Sequence, residues 1–141
     1  MRWLIICSFI SVLASGCSSF NRDWRKTATL ATSPNDLSGR WEGYWKSNEN
    51  GHHGRLRCLV THKDGQVYEA RFHAKYLKIL SFGYSVDLEA KPQTNGFTFS
   101  GSADLGIAGG VYHYQGHAEG TNFFSMYSSR YDHGTFQMQK K

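Results

Sequence analysis

The stretch Gly39-Arg40-Trp41-Glu42-Gly43-Tyr44-Trp45 has the two-residue alternation of a β-strand. In a strand, Trp41, Gly43 and Trp45 share one face, while Arg40, Glu42 and Tyr44 share the other. Two indole rings on one face need a large apolar surface to pack against. We therefore predict that this stretch is the first strand of a closed antiparallel sheet, and that later strands supply the surface.

Seven later segments alternate in the same way, and they are 55–62, 67–76, 82–90, 97–105, 111–119, 122–128 and 135–139. Turn signals such as Asn50-Gly51, Asp64-Gly65 and Asn95-Gly96 separate several of them. The high glycine and aromatic content, with 15 Gly, 8 Tyr and 9 Phe, suits short strands and tight turns. These patterns predict an all-β fold, an eight-stranded antiparallel up-and-down barrel.

The first sixteen residues have the organisation of a secretory signal peptide, which we exclude from the fold. Arg2 is followed by an apolar run over 3–13 that is too short to span a bilayer. The stretch Leu13-Ala14-Ser15-Gly16-Cys17 resembles the lipobox of bacterial lipoproteins. The resemblance implies cleavage before Cys17, with acyl chains on its sulfur and its new amino group. The alternative is an ordinary cleaved signal with an incidental cysteine.

A lipid anchor on Cys17 would place the protein in the bacterial cell envelope, because two or three acyl chains bind a membrane almost irreversibly. Ser18 follows the cysteine where an aspartate would retain a lipoprotein in the inner membrane. The resemblance therefore implies the outer membrane, facing the periplasm. Cys58 is then the only free thiol of the mature domain, and its alternation with Leu56 and Val60 predicts burial.

The rest of the chain divides into two parts. Residues 17–36 are polar and aperiodic, which predicts a lipidated cysteine followed by a flexible tether. Residues 37–141 form the predicted barrel domain. The net charge of +5 is spread along the strands and not clustered, so we expect no nucleic-acid partner. The oligomeric state is left open.

Gly39-x-Trp41 at the start of such a meander resembles the calycins, the lipocalin and avidin-like barrels. In that superfamily the first-strand tryptophan closes one end of the barrel and packs against a basic residue near the last strand. The resemblance implies that Lys140 or Arg130 has this role. It implies a calycin-like architecture and no particular ligand.

The interior of an eight-stranded barrel is just wide enough to be filled by side chains or to hold one small ligand. Alternation places Tyr76 and Phe124 on the inward face together with the eight aromatic residues named below. These side chains would line or fill the interior of the barrel. A packed core is the simpler interpretation of this set, and the alternative is an aromatic cavity for a small apolar or amphipathic ligand. The tyrosine hydroxyls count towards the cavity, because each buried hydroxyl needs a polar partner. The candidate ligand-binding residues are Trp41, Trp45, Tyr68, Phe72, Tyr84, Phe99, Tyr112 and Tyr114.

No catalytic or metal-binding spacing stands out. His113 and His117 would lie ~13 Å apart on a strand, too far to share a metal ion. His52-His53 in a glycine-flanked loop, joined by His133 or Asp132, is the better metal candidate, but a polar loop with solvent-facing histidines explains it equally simply. Asp104 and Asp132 resemble ordinary turn residues. We therefore predict no catalytic residues, metal or cofactor.

The resulting hypothesis is a non-enzymatic, lipid-anchored envelope protein. Its barrel would bind a small apolar or amphipathic ligand or an envelope partner. The alternative is a solid-core structural or interaction domain that acts through its loops and outer strands. An enclosed pocket of several hundred Å³ would favour the ligand.

Overall fold

The computed structural model describes residues 19–31, 33, 35–76 and 80–141. Residues 19–27 are helical (α1), and a single helical turn, α2, spans Gly106–Gly109. The strands in the described residues are β1 (Gly39–Ser47), β2 (His53–Asp64), β3 (Val67–Tyr76), β4 (Leu80–Gln93), β5 (Gly96–Asp104), β6 (Val111–Glu119), β7 (Asn122–Ser128) and β8 (His133–Lys140).

The eight strands form one closed antiparallel barrel in which each strand pairs with the next and β8 pairs with β1. This confirms the predicted up-and-down barrel. The predicted strand positions hold, although β2 and β4 extend several residues beyond the predicted limits. None of the described helices is long and apolar enough to cross a membrane. The predicted signal peptide and Cys17 lie outside the described residues.

The two ends of the barrel differ in the length of the connections between the strands. At the end we call the closed end, the connections β2–β3, β4–β5 and β6–β7 are two-residue turns at 65–66, 94–95 and 120–121. Gly65 has φ +52°, a left-handed conformation that favours glycine. At the open end, the longer connections 48–52, 105–110 and 129–132 join the strands.

The closed end is filled by a packed core. Trp41 is 1% exposed, and its indole nitrogen donates a hydrogen bond to the Leu37 carbonyl at 3.0 Å. The Lys140 ammonium lies 5.3 Å from the centroid of the Trp41 ring. Lys140 therefore occupies the place that the calycin resemblance implied for a basic residue. Arg130 lies in the β7–β8 loop at the opposite end, over the Tyr131 ring.

The close approach of β8 explains why a glycine, Gly43, lies between the two tryptophans of β1. A Cβ atom at this position would lie 1.9 Å from the carbonyl oxygen of Gln137 on β8. Only a residue without a side chain lets the two strands approach this closely. The seam that closes the barrel therefore depends on Gly43.

Cys58 is fully buried on β2, as the alternation with Leu56 and Val60 predicted. Burial raises the pKa of its thiol well above the usual value. A buried thiol with a raised pKa reacts slowly with oxidants.

Helix α1 corrects the prediction of a flexible tether for the described residues 19–27. Phe20 is only 4% exposed, and its ring stacks on His73 of β3 at 5.1 Å. Asp23 forms an ion pair with Arg71 at 2.7 Å. Trp24 lies beneath the Arg57 guanidinium, 5.2 Å from it. The helix therefore packs on the outer wall formed by β1, β2 and β3.

Candidate functional site

A pocket of about 130 Å³ lies inside the barrel at its open end. Its lining comes from seven of the strands and from two open-end connections. The lining residues are Trp45, Leu56, Ala74, Phe82, Tyr84, Leu105, Tyr112, Tyr114, Tyr127, Asp132 and Phe136. The pocket is small because the closed half of the barrel is occupied by side chains.

The structure separates the predicted ligand-binding residues into two groups. Four of them line the pocket, namely Trp45, Tyr84, Tyr112 and Tyr114. The other four do not line it: Trp41, Phe72 and Phe99 are buried in the core, and the half-buried Tyr68 packs against Phe97 near the closed end. The aromatic face is therefore partly packed core and partly cavity wall.

The rings around the pocket form two stacks with small interplanar angles. The centroids of Tyr84 and Tyr114 are 6.3 Å apart with an interplanar angle of 23°. Tyr112 follows at 6.4 Å from Tyr114 with an angle of 24°. The Tyr127 and Phe136 rings stack at 5.0 Å. A planar apolar group can pack against such walls in the offset geometry that aromatic rings prefer.

One carboxylate provides the strongest polar group in the pocket lining. Asp132 accepts a hydrogen bond from the Ser47 hydroxyl at 2.6 Å and another from the Tyr127 hydroxyl at 3.1 Å. Its backbone is held in turn by Ser129, whose hydroxyl accepts from the Asp132 amide at 3.1 Å. These bonds fix the carboxylate in position before any ligand arrives.

Tyr84, Tyr114 and Tyr127 in the pocket are neutral phenols over the physiological range of pH, because the pKa of each is raised. Burial raises the pKa of Tyr114 to about 12. Burial and the nearby Tyr114 also raise the pKa of Tyr84 well above its usual value. Burial and the charge of Asp132 raise the pKa of Tyr127. These hydroxyls therefore act as hydrogen-bond donors and acceptors and not as bases.

The sequence-based prediction left Tyr127 out of the ligand-binding set, named Asp132 only as a metal partner or turn residue, and placed Phe124 on the wrong face. Phe124 lies on the outer face beside His117, at a ring distance of 5.7 Å, and its neighbour Phe123 is the buried residue. A shift of one residue moves every side chain of a strand to the opposite face. Placing Phe123 inward would also have placed Tyr127 inward. Nothing in the sequence distinguished Asp132 from an ordinary turn residue.

The open-end histidines have separate partners. His52 contacts the Tyr76 hydroxyl at 2.8 Å, and His133 contacts the Glu49 carboxylate at 3.2 Å. His53 lies beside the Gly51 carbonyl. Within the described part of the chain, no group of three or more His, Cys, Asp or Glu side chains could hold a metal ion.

Comparison with known proteins adds no family assignment. No protein-family model matches the chain, and no curated protein or solved structure is significantly similar to it. The functional argument therefore depends on the geometry of the barrel.

Proposed function

We propose that this chain is a lipid-anchored protein of the bacterial cell envelope whose barrel binds a small amphipathic ligand at its open end, without catalysing a reaction. The supporting observation is the pocket itself. It combines stacked aromatic walls with tyrosine hydroxyls and the carboxylate of Asp132. An apolar pocket with a few fixed polar groups is the usual form of a small-molecule site.

The volume of the pocket limits the ligand. At about 130 Å³ the pocket is close to cavities of about 150 Å³ that hold a benzene molecule. It is smaller than the enclosed pocket of several hundred Å³ expected above for a ligand-binding barrel, because most of the interior is filled by side chains. The proposed ligand is therefore a single ring or a group of similar size, and any larger part extends out of the open end.

The polar groups favour a ligand that carries a hydrogen-bond donor. Each oxygen of the Asp132 carboxylate receives one hydrogen bond from the protein and has capacity for another. A phenolic hydroxyl at the edge of the ligand ring would satisfy this acceptor. The ring itself would pack against Tyr112 and Tyr114.

The test compares p-cresol binding by two variants in which one alanine of β3 is replaced by valine. Ala74 and Ala70 are both buried on the inner face of β3, but only Ala74 lines the pocket. Ala74→Val should fill the cavity and abolish binding, while Ala70→Val should bind like the wild type. Titration calorimetry measures the affinity, and thermal melts check that both variants are folded, since overpacking costs about 1–3 kcal/mol in each.

Equal binding of p-cresol by both variants would place the ligand outside the pocket. No saturable binding by the wild type would contradict the proposal. That result would favour the solid-core alternative, for which a shallow groove of about 800 Å³ outside the barrel, lined in part by Ser100, Gln115 and Met126, offers a contact surface.

A further inference from the structure

Four exposed apolar residues lie at the open end of the barrel, on the side formed by β4 to β8. The open-end rim consists of Phe82, Ile107, Val111 and Tyr131, whose side chains are 47%, 101%, 45% and 55% exposed. Phe82 also lines the pocket, and the Tyr131 ring lies against Gly110, next to Val111. Large exposed apolar side chains gathered at one place on a protein mark a contact surface.

Among the residues that the structure describes, the closed end carries no such rim. Its three turns carry the polar residues Gln66, Thr94, Asn95 and Thr121. Of the large apolar side chains that are exposed in the described part of the chain, only Leu30 lies towards this end, beside Gly39 and Thr61. The polarity of the barrel is therefore asymmetric along its axis.

Helix α1 runs along the wall with its N-terminal side towards the open end. Phe20 packs at the level of His73 and Arg57. The residues that follow the helix, Leu30 and Ala31, lie beside Gly39 at the closed end. The start of α1 is therefore nearer to the open end than its last turn is.

Chain length limits how far the proposed anchor can lie from the start of α1. Cys17 is two residues before Ser19, which limits the distance between their Cα atoms to ~7.6 Å. From His73 to the end of β3 at Tyr76 is three residues, or ~10 Å. The acyl chains would therefore enter the bilayer next to the open end.

We infer that the open-end rim rests on the bilayer that holds the acyl chains, so that the mouth of the pocket faces lipid. This inference depends on the proposed lipidation of Cys17. Tyrosine is enriched at the membrane interface, and the exposed cations Arg130 and Lys75 at the same end suit anionic headgroups. An amphipathic ligand could then enter the pocket from the membrane phase.

The test uses the full lipidated chain with one added cysteine at either end of the barrel. Ile107→Cys places a thiol-reactive fluorophore on the rim, and Thr94→Cys places it on an exposed turn of the closed end. The unsubstituted chain gives the background labelling, which should be low because Cys58 is fully buried. The chains are reconstituted in phosphatidylethanolamine–phosphatidylglycerol vesicles with or without brominated acyl chains.

Brominated lipid should quench most of the emission from the label at position 107 and leave the label at position 94 unquenched. Equal quenching at the two positions, or none at position 107, would overturn the inference. A chain that does not float with the vesicles would overturn the anchor together with the rim contact. If p-cresol did not bind, the proposed ligand-binding function would be contradicted. The quenching result, and with it the contact between the rim and the bilayer, would still hold.

Discussion

Trp41 joins three separate parts of the chain through one side chain. It pairs with Cys58 on β2 and with Lys140 on β8, and its indole nitrogen is bonded to the segment that precedes β1. Its ring also packs against Phe123 at 5.5 Å. The residue therefore connects the first and last strands at the closed end.

Trp41→Ala should lower the free energy of unfolding by about 3–5 kcal/mol, because it opens a cavity in the closed-end core. Denaturant unfolding followed by circular dichroism measures the loss. Tyr44→Ala is the matched control on the exposed face of the same strand, and its effect should stay within about 0.5 kcal/mol. Equal losses in the two variants would show that the indole does not support the core.

At the scale of elements, α1 packs on the barrel wall against the side chains of three arginines. Arg40 and Arg57 lie over the Trp24 ring, and Arg71 pairs with Asp23. His73 is buried beneath Phe20, with its Nδ1 atom 3.3 Å from the Arg57 guanidinium. A neutral imidazole can accept a hydrogen bond from that guanidinium, whereas a protonated one would repel it.

Acidification should weaken the packing of α1. Burial, with Arg57 and Lys75 nearby, lowers the pKa of His73 below its usual 6.5. The unfolded chain then binds a proton at a higher pH than the folded chain. The stability that neutral His73 contributes is present above about pH 6.5 and is lost as the pH falls through the folded-state pKa.

Thermal melts between about pH 7.5 and pH 5 measure this loss. His73→Gln keeps an acceptor for Arg57 but cannot titrate in this range, so its stability should depend less on pH. His117→Gln removes an exposed histidine on β6 and should leave the wild-type profile unchanged. A wild-type profile retained in His73→Gln would assign the pH dependence to another group.

At the scale of the whole molecule, the two ends of the barrel differ in what fills them and in what they expose. The closed end carries the packed core around Trp41, and the open end carries the pocket and the apolar rim. Helix α1 connects this body to Cys17 through a short, packed element. The proposed anchor would therefore hold the barrel in one orientation and close to the membrane.

Cys17→Ser should release the folded protein from membranes, because no acyl chains can then be attached to that residue. Membrane flotation followed by immunoblotting measures the distribution. Cys7→Ser lies within the predicted signal peptide and should leave the protein on the membrane. Retention of the Cys17→Ser chain on the membrane would contradict the lipoprotein hypothesis.

The sequence could predict the barrel because strand pattern is local. Alternation from residue i to i+2 placed Leu56, Cys58 and Val60 inward, and Asp64-Gly65 marked a turn. The same rule failed at Phe123-Phe124, where two adjacent phenylalanines fit either face and only the register with β6 and β8 decides between them.

The amino-acid sequence by itself determined the strand order, the inward face of Trp41 and Cys58 as a core residue, since these depend on near neighbours and on turn chemistry. Tertiary structure alone decided the volume of the pocket, the role of Asp132 and the packing of α1. The physical reason is that each depends on groups far apart in the chain. The Ser47 hydroxyl reaches Asp132 only after the barrel closes, and the arginines beneath α1 share one wall only when β1, β2 and β3 pair.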